Sequence, residues 1–179
     1  MEMKKQASPI YLTGFSDESA EDFSEQLQYM QEFGIRYIEI RNADGINVAD
    51  LTKEKREEIR LKLENAGIKI SSIGSPIGKI SIEDPFEPHF ESFKRVVETA
   101  QYLKAPYIRL FSFYIPKDKP AADFREAVLE RLHRFAEYAE KQDVVLLHEN
   151  EKGIYGDTGE RCVDIMKELS STKFRAVFD

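Results

Sequence analysis

His148, Glu149, Asn150 and Glu151 follow without a break on four apolar residues, 144–147. A strand that belongs in a core does not end in ionisable groups without a reason. Asp179 closes the stretch "KFRAVFD" and stands 30 residues after Glu149, again at the end of a strand-like run. Ends of neighbouring parallel strands lie about 4.8 Å apart. Two carboxylates so placed repel unless a cation lies between them or one takes up a proton. A divalent ion resolves that conflict, since carboxylate oxygens suit Mg²⁺ or Mn²⁺ and, with nitrogen donors added, Co²⁺ or Zn²⁺. Capping or salt bridging at a strand end would satisfy the same residues, and spacing alone does not choose.

These residues need elements to hold them, and the chain alternates between two periods. Strand-like runs at 9–14, 36–41, 68–75, 106–113, 144–149 and 173–179 are separated by stretches with apolar residues at helical spacing. Examples are Phe23, Leu27 and Met30, then Ile59 and Leu63, then Phe90, Phe93 and Val97. Five βα units and a sixth strand make an α/β fold with parallel strands. Helix starts are expected at Asp84-Pro85 with Glu87, and at Asp157 or Thr158 with Glu160. No linker or low-complexity tract divides the chain, so residues 1–179 read as one domain.

Strand faces separate a doubly wound sheet from a (β/α)8 barrel. Side chains alternate along a strand, which puts Tyr37, Glu39 and Arg41 on one face, followed by Tyr107, Arg109 and Phe111, then Val145, Leu147 and Glu149. The other face carries Ile38, Ile40, Ile108 and Leu110, suited to cover by helices. A sheet buried on both sides has no place for the charged face, whereas a barrel interior with a solvent-filled mouth does. The expectation is therefore a TIM barrel, represented here by five βα units and a sixth strand. A barrel of this kind typically takes about 250 residues, so the 179 residues read as the N-terminal portion of one; a natural open sheet is the alternative.

Composition removes several functions. A net charge of −7 offers no general basic face for nucleic acid. No run is long and apolar enough for a signal peptide or a membrane span. The single cysteine, Cys162, rules out an internal disulfide and suits a reducing, cytoplasmic setting, with packing on a helix face as its expected role. After the first strand "YLTGFSDES" has only Gly14, so the G-x-G-x-x-G of a dinucleotide site is missing. The stretch "SIGSPIGK" (72–79) lacks phosphate-loop spacing and reads as a rim loop.

The segment "VVLLHENEKGIYGDTGERCVDIMKEL", with "FRAVFD", "GFSDE", "GIRYIEIR" and "APYIRLFSF", resembles the xylose isomerase-like sugar phosphate isomerase/epimerase superfamily over essentially the whole chain. The resemblance implies that Glu149 and Asp179 are two ligands of a divalent metal (Mn, Mg, Co or Zn). A histidine and a second glutamate from later strands, past residue 179, would complete the set. It further implies a metal-dependent isomerase or epimerase of a small sugar, with Glu149 also moving the proton next to a polarised carbonyl. On that basis residues 1–179 alone are expected to bind metal weakly and not to turn over.

Other residues carry less. Glu39 and Arg109 face the barrel interior, either pairing with each other or touching substrate. Arg41 could reach a phosphate or carboxylate, or bridge Glu39. "GIYGDTG" (153–159) reads as a flexible rim loop with Tyr155 as its substrate contact. His148 alternates with Glu149 and should face the helices, while His89 and His133 lie on helical segments and complete no ligand cluster. The expected partner is a small sugar, with no nucleic acid or membrane, and homo-oligomerisation is left open. Two other readings share the fold: a non-catalytic sugar-binding barrel, and an endonuclease-IV-like phosphodiesterase, which three histidines and an acidic chain disfavour.

Overall fold

The computed structural model of the chain describes residues 10–178. Five strands form one parallel sheet: β1 (Tyr37–Ile40), β4 (Lys69–Gly74), β5 (Tyr107–Leu110), β6 (Val145–Glu149) and β7 (Phe174–Val177), neighbours in that order. A small antiparallel hairpin, β2 (Asn42–Ala43) and β3 (Ile46–Asn47), turns through Asp44-Gly45 directly after β1. The helices α1 (Phe23–Glu32), α2 (Lys53–Ala66), α3 (Phe86–Tyr102), α4 (Arg125–Glu140) and α5 (Gly159–Leu169) alternate with the sheet strands. No helix among the described residues is long and apolar enough to cross a membrane.

The alternation read from the sequence appears directly in the register. Ile40 lies beside Ile73, Ile73 beside Ile108, Ile108 beside Leu146 and Leu146 beside Phe174. All five are buried in the one core that the helices cover. Each such side chain contributes about 1.5–3 kcal/mol of transfer free energy, so this face sets the register. Rings of Phe90, Phe93, Phe113 and Phe135 stack in the same core.

Three expectations are corrected. The first, a strand at 9–14, is not formed by residues 10–14: Gly14 accepts one hydrogen bond from the Glu39 amide (2.9 Å) and Phe15 makes a single parallel bridge. Ile10 and Leu12 remain 96% and 74% exposed, because among the described residues nothing pairs with the far side of this segment. Pro9 lies outside the described residues. Second, Asp84 does not cap α3; it accepts the Ser81 amide in the preceding turn, whereas Thr158 caps α5 as expected. Third, Cys162 is only half-buried, its thiol directed to the Gly156 carbonyl.

Beyond the strands, the rim loops continue the ladder. Phe111, Phe113 and Tyr114 donate their amides to the carbonyls of Ile77, Gly78 and Ile80. The imidazole of His89 accepts the Gly78 amide at 2.8 Å. Gly78 has φ +86°, and a Cβ there would lie 2.0 Å from the Phe111 carbonyl oxygen. Both the left-handed backbone and the contact with main chain exclude a side chain. Gly78→Ala is expected to destabilise the fold by at least about 2 kcal/mol, read as a lower urea midpoint.

Candidate active site

Glu149 is the last residue of β6, and its side chain points to the charged face of the sheet at the C-terminal ends of the strands. Arg109 lies on the neighbouring strand beside Leu147, one step below Glu149 on that face. Its guanidinium reaches upward, and Nη1 donates to both oxygens of Glu149 at 3.1 Å. Each residue is only 8% exposed, so this is a largely desolvated ion pair. The Arg109 carbonyl accepts the Ser75 hydroxyl, which ties β5 to the end of β4.

The pair forms the floor of a cleft of about 440 Å³, whose walls come from the segment preceding α1 and from the loops following β1, β4 and β6. Phe15, Arg41, Gly74, Lys79 and Glu151 line it. Phe15 lies between two guanidiniums, 4.8 Å from Arg41 and 5.1 Å from Arg109. It can do so because residue 74 is glycine: a Cβ there would come within 2.5 Å of the ring. Lys79 sits over the Phe111 ring and donates to Glu151 at 2.8 Å. That hydrogen bond is the main opponent of burial at Glu151 and holds its carboxyl below the usual range. A crevice of similar volume at the opposite end is walled by Tyr37, Lys69 and Pro106, at or next to the starts of the strands, far from this chemistry.

Of the residues singled out in the sequence, Glu149 and Arg109 come together and others do not. Glu39 does not pair with Arg109; its carboxylate accepts the Ser72 hydroxyl at 3.1 Å. The reason is strand order: β4 separates β1 from β5, so Arg109 is one strand from Glu149 and two from Glu39. Arg41 likewise bridges Asp17 (2.8 Å) and Glu18 (3.4 Å) rather than Glu39. Tyr155 turns away from the cleft into the core, 3% exposed, and its hydroxyl donates to Asp164 at 2.7 Å. Burial, reinforced by that carboxylate, pushes its phenol up to about 12. Its loop is pinned rather than free, the Gly156 amide bonding to Ser112 at 2.8 Å and the Tyr155 amide to the Phe113 carbonyl at 3.0 Å. Asp179 lies outside the described residues. Phe15 and Lys79 were not singled out in the sequence, and Glu151 entered only as part of the ionisable run that ends the strand; Lys79 had a signal, as the only cation in the rim loop 72–79.

His148 faces the helices as alternation requires, 1% exposed and packed against Gly156. Burial lowers its pKa to about 4. His89 is also lowered to about 4, first by burial and then by Arg131. Both folded values lie below the ordinary 6.5, so the unfolded chain binds more protons between pH 4 and 6.5. The associated stability is fully present above pH 6.5 and is lost as pH falls towards 4. His148→Leu is expected to flatten this acid limb by about one proton, at most about 3 kcal/mol across the window. Urea midpoints measured at several pH values check it.

Comparisons with known proteins fit this geometry. The family model described as xylose isomerase-like TIM barrel matches residues 27–179. The chain belongs to the xylose isomerase-like TIM barrel family. No curated protein matches it. Among solved structures, a probable 3-DHS dehydratase from Bacillus anthracis is similar with a TM-score of 0.76 at 20% identity, over 95% of this chain and 63% of that one. A xylose isomerase-like TIM barrel protein from Mycobacterium smegmatis in complex with magnesium gives 0.72 at 16%, over 93% and 63%. The 3-keto-D-glucoside 4-epimerase YcjR from E. coli gives 0.73 at 15%, over 95% and 68%. The chain thus spans under two thirds of the first two, and its five-stranded sheet is part of a xylose isomerase-like barrel.

A divalent ion can be tested against these side chains. Among the described residues no three His, Cys, Asp or Glu side chains converge as a metal-ligand group. Glu149 supplies one carboxylate, and the Arg109 guanidinium already neutralises both its oxygens. His148, next in sequence, points to the other side of the sheet. The described residues therefore do not by themselves fit a metal centre.

Proposed function

We propose that the xylose isomerase-like barrel to which this chain belongs is an isomerase or epimerase of a small sugar or sugar derivative, working by proton transfer at a carbon next to a carbonyl. The observation that carries this reading is the Glu149 carboxylate, held by Arg109 on the floor of the rim cleft. A carboxylate in a poorly solvated pocket is suited to remove a proton from carbon and return it. The neighbouring guanidinium is suited to stabilise the negative charge that develops on the carbonyl oxygen. Arg109 holds Glu149 in one orientation, so the proton is taken along a fixed direction. A divalent ion remains part of the proposal as a group that Glu149 and Asp179 would hold with donors from outside the described residues, and no step is assigned to it.

A screen of ketoses with the complete protein, read by NMR for inversion at the carbon adjacent to the carbonyl or for carbonyl migration, tests the proposal. Conversion of at least one ketose is expected. If no ketose or keto-sugar derivative is converted while the protein binds one of them, the non-catalytic sugar-binding barrel replaces this reading.

A further inference from the structure

We propose that the rim cleft is an anion site, in which the acidic oxygens of a small ligand, a phosphate or a carboxylate, dock against Arg41, Lys79 and Arg109. Two aromatic rings arrange these cations in a row. Arg41 and Arg109 flank Phe15 at 4.8 and 5.1 Å, and Arg109 and Lys79 share Phe111 at 4.7 and 4.2 Å. The electron-rich faces favour cations beside them and hold like charges close without direct contact. Gly74 leaves the room that Phe15 needs to complete the row.

Spare hydrogen-bonding capacity in the cleft is mainly of the donor kind. Arg41 donates through Nε and Nη2 to Asp17 and Glu18, and among the described residues Nη1 has no acceptor. Lys79 has three N–H groups and directs one to Glu151. Arg109 engages Glu149 through Nη1 alone, and Nη2, facing Gly74, has no hydrogen-bond acceptor among the described residues. Of the three carboxylates in the cleft among the described residues, Glu18 accepts from Arg41 through Oε1 alone, and the other two are engaged through both oxygens. Both Glu149 oxygens accept from Arg109, and the two Glu151 oxygens accept from Lys79 and from the Lys152 amide. A neutral polyol brings as many donors as acceptors and would set some of them against these N–H groups. An anionic group brings acceptors only, and each contact becomes a charge-assisted hydrogen bond.

The inference rests on reading the cleft as the active site and narrows its ligand to an acidic one. The two fail separately, because anion binding needs no turnover. The probes are inorganic phosphate and acetate, each titrated into the protein at low ionic strength, where screening is weak. Backbone amide NMR shifts at residues 74–79 and 149–151 give the readout. Saturable binding with a dissociation constant of about 1 mM or tighter is expected for at least one ion. Lys79→Met and Arg41→Met should each weaken it about tenfold, and Lys79→Arg should restore most of it. Lys141→Met, at the far end of α4, should leave it unchanged. Stronger phosphate binding assigns a phosphate ester, and stronger acetate binding a carboxylate. No saturable binding of either ion, or binding that both methionine variants leave intact, overturns the proposal.

Discussion

Glu149→Gln in the complete protein is expected to lower turnover by about 10²–10⁴-fold, the range that a positioned general acid/base contributes. Glutamine keeps the shape and one oxygen acceptor for Arg109, but it cannot take a proton from carbon. Substrate affinity should change far less than turnover, because the other cations and rings of the cleft remain in place. Steady-state kinetics on whichever ketose is converted separate the two. A fall in affinity with turnover preserved would move Glu149 from proton transfer to binding.

The second large effect concerns stability. Arg109→Met removes the cation beside a carboxylate that is only 8% exposed. Breaking a buried pair from one side costs about 3–5 kcal/mol, because the remaining charge is left uncompensated. Replacing both partners, as Arg109→Met with Glu149→Leu, should recover most of that loss while leaving turnover absent. Urea unfolding of the two single variants and the double variant, read as a cycle, isolates the coupling. Equal stability of Arg109→Met and the parent protein would mean that the pair seen at 3.1 Å carries little free energy.

Most of the scaffold was legible because burial on a sheet has a period of two. Ile38, Ile40, Ile108 and Leu110 declared one face and Arg109 and Glu149 the other, and the register confirms both. The position of His148 followed from the same alternation. Strand order was not available from one sequence, which is why Glu39 was offered as a partner for Arg109 although β4 lies between them. The hairpin at 42–47 did have a signal, since Asp-Gly is a strong turn pair, but its two-residue strands are too short to show a period. Tyr155 misled because an aromatic residue amid glycines suggests an open loop. The bond to Asp164, nine residues later on α5, exists only once the helix is docked. Phe15 joined the cleft through the space left at Gly74, a relation between residues 59 positions apart that no local pattern carries.

The central claim is that a carboxylate at the end of β6 moves a proton between a substrate carbon and the cleft. Solvent exchange reads that step directly. With the complete protein and a converted keto-sugar in D₂O, deuterium should enter the carbon beside the carbonyl, and Glu149→Gln should slow its entry by at least about 100-fold. Rearrangement without deuterium uptake, or uptake indifferent to Glu149→Gln, would contradict the account.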